Sequence, residues 1–184
     1  MKKLLILSTL FWGFMVTSKC QESGLEKNIL GIQVGIIGID FYNEYKLADK
    51  ITLRSEVSLY PGVWGGSMYE KTGFMLHSGF TLQPKYYFNI DKRLQRGKNI
   101  TNNSANYLSV QIRYIPDWLV ISNYENIEIF NQLHFIPTFG IRRKFASNFN
   151  YEFKVGLGYG VSLDKSYKFS GTAFDLGFKL GYDF

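Results

Sequence analysis

Phe174-Asp175-Leu176-Gly177-Phe178-Lys179-Leu180-Gly181-Tyr182-Asp183-Phe184 alternates without a break. Even positions are apolar or aromatic; odd positions carry Asp, Gly and Lys. Successive side chains of a strand point to opposite faces, so this period of two predicts a β-strand with one apolar and one polar face. A transmembrane β-strand needs about 9–11 such residues, one face toward lipid and the other toward a polar lumen.

Working backward, the same pattern recurs. Tyr151, Phe153, Val155, Leu157, Tyr159, Val161 and Leu163 oppose Glu152, Lys154, Gly156, Gly158, Gly160 and Ser162. Half of that polar face is glycine, which suits the crowded inside of a narrow barrel better than a solvated surface. Its Gly156-Leu157-Gly158-Tyr159-Gly160 run lacks the spacing and the following helix of a phosphate-binding loop. Further alternating stretches run from Phe74 to Phe88, Leu108 to Tyr114, Ile127 to Ile141 and Ile51 to Tyr60. Another extends from Leu30 to about Tyr42, with a phase slip at Ile36-Ile37 that reads as a bulge.

These stretches amount to about seven strands joined as a meander of hairpins, with no convincing helical period. Bacterial single-chain barrels have an even strand number, so one strand is hidden. The stretch Trp118 to Asn131 is the expected place for it, and an antiparallel up-and-down barrel of eight strands is the expected closure. The basic and asparagine-rich segment from Asp91 to Asn106 reads as a mobile excursion.

The N-terminus predicts export. Lys2 and Lys3 precede an apolar run from Leu4 to Val16, too short for a transmembrane helix, and small or polar residues lead to Cys20. Residues 1–20 therefore read as a cleaved signal peptide and 21–184 as one barrel domain. Lipidation of Cys20 is the competing reading, against which Lys19 stands where a lipobox wants a small residue. Cleavage after Cys20 leaves no cysteine, hence no disulfide framework and no thiolate site. It also removes Lys2, Lys3 and Lys19 from a net charge of +6, leaving 6 − 3 = +3, too mild to argue for nucleic acid.

The polar rows carry both signs. Arg54, Glu56, His77, Lys85, Arg113, His134, Arg142, Glu152, Lys154, Asp175 and Lys179 are the candidate lumen network, because charges facing a narrow interior need partners. Read as function, such a row could line an ion path, but an eight-stranded barrel is only just wide enough for its side chains. His77 and His134 admit a second reading as parts of a serine, histidine and carboxylate site. Ser78 follows His77 and points to the opposite face, so the partner must come from another strand. Two distant histidines make a weak metal signal, and no cofactor motif is present. Arg142-Arg143-Lys144 reads as a solvated rim or a site for anionic head groups. Trp64, Trp118, Tyr42, Tyr45, Tyr60, Tyr86, Tyr87, Tyr114 and Tyr151 read as interface anchors.

Together, the export signal, the alternating strands, the glycine-bearing polar faces and the aromatic Phe184 resemble the small outer-membrane β-barrel proteins, such as outer membrane protein X and the barrel of outer membrane protein A. Phe184 is similar to their C-terminal insertion signal. The resemblance is architectural and transfers no catalytic residue. It implies a monomeric outer-membrane protein of structural, adhesive or surface-interaction type, inserted by the barrel-assembly machinery and in contact with membrane lipid and lipopolysaccharide. A lipid A-modifying enzyme, a narrow channel and, as a fold, a soluble lipocalin-like barrel are the alternatives.

Overall fold

The computed structural model describes residues 24–67, 71–124, 127, 129–164 and 168–184. The expected signal peptide and Cys20 lie outside the described residues. Nine strands form in chain order: β1 (Asn28–Gly35), β2 (Gly38–Ala48), β3 (Ile51–Trp64), β4 (Gly73–Tyr86), β5 (Asn106–Ile115), β6 (Val120–Ser122), β7 (Gln132–Lys144), β8 (Phe149–Ser162) and β9 (Ser170–Asp183). All pair antiparallel, and eight close into a barrel in sequence order. The seam lies between β1 and β9, from Gly31 opposite Asp183 to Gly35 opposite Lys179. Phe184 completes it, its backbone N–H donating to the Leu30 carbonyl at 2.8 Å.

The hidden strand is at the N-terminal end of the barrel, not between Trp118 and Asn131. The phase slip at Ile36-Ile37 is a two-residue turn that divides Leu30 to Tyr42 into β1 and β2, with Gly35 opposite Gly38. Turn residues are expected to be polar because turns usually meet water; Ile36 and Ile37 broke that expectation and so read as strand. Of the Trp118 to Asn131 stretch, Val120–Ser122 forms β6. It lies along Met75, Leu76 and His77 of β4 and so continues the place of β5, which pairs β4 from Phe80 to Tyr86.

The faces are the reverse of a soluble barrel. Gln33, Glu44, Thr52, Arg54, Lys85, Gln111, Arg142 and Asn150 are buried, while Leu30, Phe41, Leu82, Leu108, Phe135, Phe153, Leu157 and the even row of β9 from Phe174 to Phe184 are exposed. A lipocalin-like barrel would invert that list, so this competitor is excluded and the architecture is that of a transmembrane barrel. Outward aromatics gather at the end that carries the seam terminus, where the Phe149 and Tyr182 rings meet at 5.2 Å and Tyr182 and Phe184 at 5.5 Å. Tyr42, Tyr60 and Tyr87 are corrections to the anchor reading: Tyr42 and Tyr87 are buried, and Tyr60 continues the inward row of Arg54, Glu56 and Ser58. A phenol satisfies either face, and only the register decides between them.

The segment read as a mobile excursion is folded. It contains a short helix, α1 (Ile90–Gln95), and a 3-10 turn (Thr101–Asn103), and it packs through Tyr87, Ile90, Ala105 and Ile100 against Leu25 and Tyr107. This small apolar cluster closes the barrel at the end where residues 24–28 enter and β9 finishes. That end is called the terminal end below, and the opposite one the loop end.

Gly38 has φ of 114°, and a Cβ built there would stand 2.4 Å from the Leu59 carbonyl oxygen. Gly38→Val therefore combines a backbone conformation that L-residues avoid with a backbone clash. It is expected to destabilise the barrel by about 1–3 kcal/mol, read as an earlier midpoint when the refolded protein is unfolded in urea.

Candidate functional site

Glu152 of β8 stands at the centre of the lumen. Its carboxylate accepts from Arg54 Nη1 at 3.1 Å, Arg142 Nη1 at 3.2 Å, Lys85 Nζ at 3.2 Å and Gln33 Nε2 at 3.2 Å. The Tyr107 hydroxyl donates a further short bond to it. Donors from β1, β3, β4, β5 and β7 thus converge on one residue. Gly140 makes room for this: a Cβ there would fall 2.1 Å from Tyr107 Cζ.

Two carboxylates extend the centre toward the terminal end. Glu44 accepts from Lys85 Nζ at 3.1 Å, Thr52 Oγ1 at 3.0 Å, Tyr87 Oη at 2.7 Å and Asn103 Nδ2 at 2.7 Å. Asp183 accepts from Arg142 Nη2 at 2.8 Å, Asn150 Nδ2 at 3.0 Å, Asn102 Nδ2 at 2.7 Å and the Tyr42 hydroxyl. Tyr87 follows β4 and belongs to the apolar cluster that closes the terminal end; burial pushes its phenol well above its ordinary value, so it stays a donor. Two guanidinium groups flank the Tyr42 ring, Arg54 at 3.7 Å and Arg142 at 5.3 Å from its centroid.

Toward the loop end, Glu56 accepts from Arg54 Nη2 at 2.7 Å and Lys179 Nζ at 3.3 Å, and Lys179 also pairs with Asp40. Asp175 takes Arg113 Nη2 at 3.1 Å, Lys154 Nζ at 3.1 Å and Gln111 Nε2 at 2.7 Å. Six cations, Arg54, Lys85, Arg113, Arg142, Lys154 and Lys179, meet six carboxylates, Asp40, Glu44, Glu56, Glu152, Asp175 and Asp183. Among the described residues the lumen charges thus match six to six.

Nine of the residues singled out in the sequence are therefore paired inside the lumen, in two clusters: Arg113 and Lys154 share Asp175, while Arg54, Glu56, Lys85, Arg142 and Lys179 belong with Glu152. His77 and His134 also face inward but stand apart. The His134 ring nitrogen Nε2 is 3.0 Å from Gln132 Oε1, and His77 tilts against the Tyr60 ring at 5.2 Å. Among the described residues neither histidine is hydrogen-bonded to a serine hydroxyl or a carboxylate, so the hydrolytic arrangement is not formed. Arg142 is no rim residue: it is fully buried, while Arg143 bonds Asn106 Oδ1 at 2.5 Å and Lys144 Nζ reaches Asn102 Oδ1 at 3.4 Å.

Sequence reasoning missed Asp40, Glu44, Asp183, Tyr42 and Tyr107. Asp40 and Glu44 form an inward row whose signal was available once β2 was recognised as a separate strand, and Asp183 already stood on the polar row of the last strand, between Tyr182 and Phe184. The two tyrosines carried no such signal.

No protein-family model matches the chain, and no curated protein matches it. Among solved structures, the crystal structure of Acinetobacter baumannii CarO2 is similar at 10% identity and a TM-score of 0.49, over 85% of this chain and 97% of that one.

Removing one member of a buried ion cluster leaves its partners charged and unmatched, which costs more than the pair contributes. Glu152→Gln leaves Arg54, Lys85 and Arg142 around a neutral amide, each with one carboxylate where it had two. The expected loss is about 3–5 kcal/mol of stability. Arg143→Gln, outside the ion cluster, is expected to stay within about 0.5 kcal/mol of the parent. Urea unfolding followed by tryptophan fluorescence separates the two outcomes.

Proposed function

We propose that the protein is an integral outer-membrane β-barrel with a sealed lumen, of structural, adhesive or surface-interaction type. The observation that carries this reading is the set of ion pairs that fills the lumen, six cations to six carboxylates, closed at the terminal end by Asn102 and Asn103. An ion path needs sites that a passing ion can enter and leave, whereas here each cation is already held by a carboxylate of the wall. A filled interior is also what eight strands leave room for.

The chemistry of the wall supports that location. A closed sheet with an apolar outer face satisfies its backbone internally and is stable in hydrocarbon, where the same face in water would be a large aggregation site. Membrane lipid, including lipopolysaccharide, is the partner of that outer face, and the barrel-assembly machinery is the route of insertion. The barrel is read as a monomer. With an even strand number both chain ends share the periplasmic side, which puts the loop end outward and makes its connections the surface available to partners.

Cell fractionation and conductance test the two halves of this proposal. The protein is expected to stay with outer membranes through an alkaline carbonate wash and to migrate faster unboiled than boiled. In planar bilayers it is expected to give no current steps. Release by carbonate would overturn the membrane reading; regular unitary steps would overturn the sealed lumen.

A further inference from the structure

The β1–β2 hairpin stops halfway up the wall. Strand β9 pairs with β1 only from Lys179 to Asp183, so residues 170–178 have no backbone partner on that side. Across the gap, β3 pairs with β2 only as far as Leu59, opposite Ile39, which leaves residues 60–64 without one there. Both strands continue on their other sides, to β8 and β4. The wall therefore has a notch bounded below by Ile36 and Ile37 and laterally by the edges of β9 and β3.

The notch lies at membrane height. On β9 the apolar row continues past the hairpin tip through Leu176 to Phe174, and Tyr159 of β8 stands opposite Thr172 at its upper limit. From Tyr182 to Phe174 is the span a transmembrane strand requires, and the tip at Lys179 is well short of it. The tip itself is apolar and exposed, Ile36 by 84% and Ile37 by 67%, as suits hydrocarbon and not water. Pro61 sits on the free edge of β3, where it has no N–H to leave unmade.

An open sheet edge facing lipid leaves backbone groups without partners, an arrangement that hydrocarbon does not tolerate. Something polar must reach this edge from within the bilayer. Behind the notch is a cavity of about 320 Å³ lined by Arg113, Lys154 and Lys179 against Asp40 and Asp175, with His77 and Tyr60 beside them. Lys179 is matched by Asp40 and, behind it, Glu56, whereas Arg113 and Lys154 share the single carboxylate of Asp175. In its wall the Arg113 Nε and His77 Nδ1 atoms are buried without a hydrogen-bond partner.

We infer that the notch is a lateral binding site for a membrane lipid with an anionic head group. The head group enters the cavity beside Arg113 and caps the free edges, while the acyl chains stay outside against Ile36, Ile37 and Phe174. The chemistry of the two halves matches such a molecule: apolar rim in the hydrocarbon, and behind it two cations, Arg113 and Lys154, with one carboxylate between them. The inference rests on the membrane-barrel reading proposed above.

The test uses the full barrel refolded into phosphatidylcholine vesicles containing a trace of chain-spin-labelled phosphatidylglycerol or, separately, phosphatidylcholine. Flotation with the vesicles and faster unboiled migration report insertion. The expected result is a motionally restricted component favouring phosphatidylglycerol several-fold over phosphatidylcholine. That preference should be lost in Arg113→Gln. It should also fall in Ile37→Asp, which sets a negative charge at the tip without touching the lumen pairs, and persist in Arg143→Gln at the other end. Equal restriction of the two probes, or a preference unchanged in both Arg113→Gln and Ile37→Asp, overturns the inference while leaving the barrel reading intact. Disulfide-linked dimers from Thr172→Cys without a restricted anionic component would assign the edge to a second copy and overturn it too. Failure to float with the vesicles instead removes the membrane reading beneath it.

Discussion

In hydrocarbon there is no water to take up a backbone N–H or C=O, so a sheet that crosses a membrane must close on itself. In this chain the closure depends on five residue pairs between β1 and β9, extended by the Phe184 N–H bond to Leu30. The rest of the architecture is arranged around that short seam. β1 enters from the terminal end, pairs upward for five residues against β9 and turns back at once through Ile36 and Ile37. The seam is complete in the lower half of the wall and absent above it.

A second constraint acts from inside. Glu152 collects donors from five strands, so the ion cluster is a register device as much as a set of contacts. A slip of one residue in any pairing would turn its cations toward lipid and its apolar row toward the lumen. Buried ion pairs are weak evidence of net stability, since desolvating the charges offsets most of the attraction. Their consequence here is specificity: the apolar belt and the balanced lumen admit the same register and no other. The phenols of Tyr42, Tyr87 and Tyr107 complete the lone pairs of Asp183, Glu44 and Glu152 that the cations leave open.

Much of this was legible before the structure, because alternation of apolar and polar residues assigns faces directly. The strand from Tyr151 to Leu163 and the one from Phe174 to Phe184 appear where their period places them, and their glycines lie on the lumen side. What was not legible depended on the solvent or on the third dimension. Ile36-Ile37 was misread because a turn immersed in hydrocarbon reverses the usual polarity signal of turns. Asp40 and Glu44 followed that error, since their inward row belongs to the strand that the misreading absorbed. The pairing of Glu152 with Lys85 and Arg54 depends on how strands stagger around the barrel, which no local pattern encodes. Arg142 admitted two readings, lumen row by its own parity and basic surface cluster by the two cations that follow it, and the lumen reading is the one the fold realises.

The asparagine-rich stretch shows how the two ends of the barrel differ. Asn102 and Asn103 have φ of 51° and 58°, the left-handed region that asparagine tolerates better than most residues. In that conformation their side chains turn into the lumen, Asn102 to Asp183 and Asn103 to Glu44, and supply neutral donors where a further cation would unbalance the charges. Nothing comparable covers the loop-end charges among the described residues. There Arg113, Lys154 and Lys179 face a cavity, and the hairpin that would wall it off is too short. The same eight strands thus make a sealed lower half and an upper half open toward the side. The difference comes from a single connection folded inward at one end and one hairpin cut short at the other.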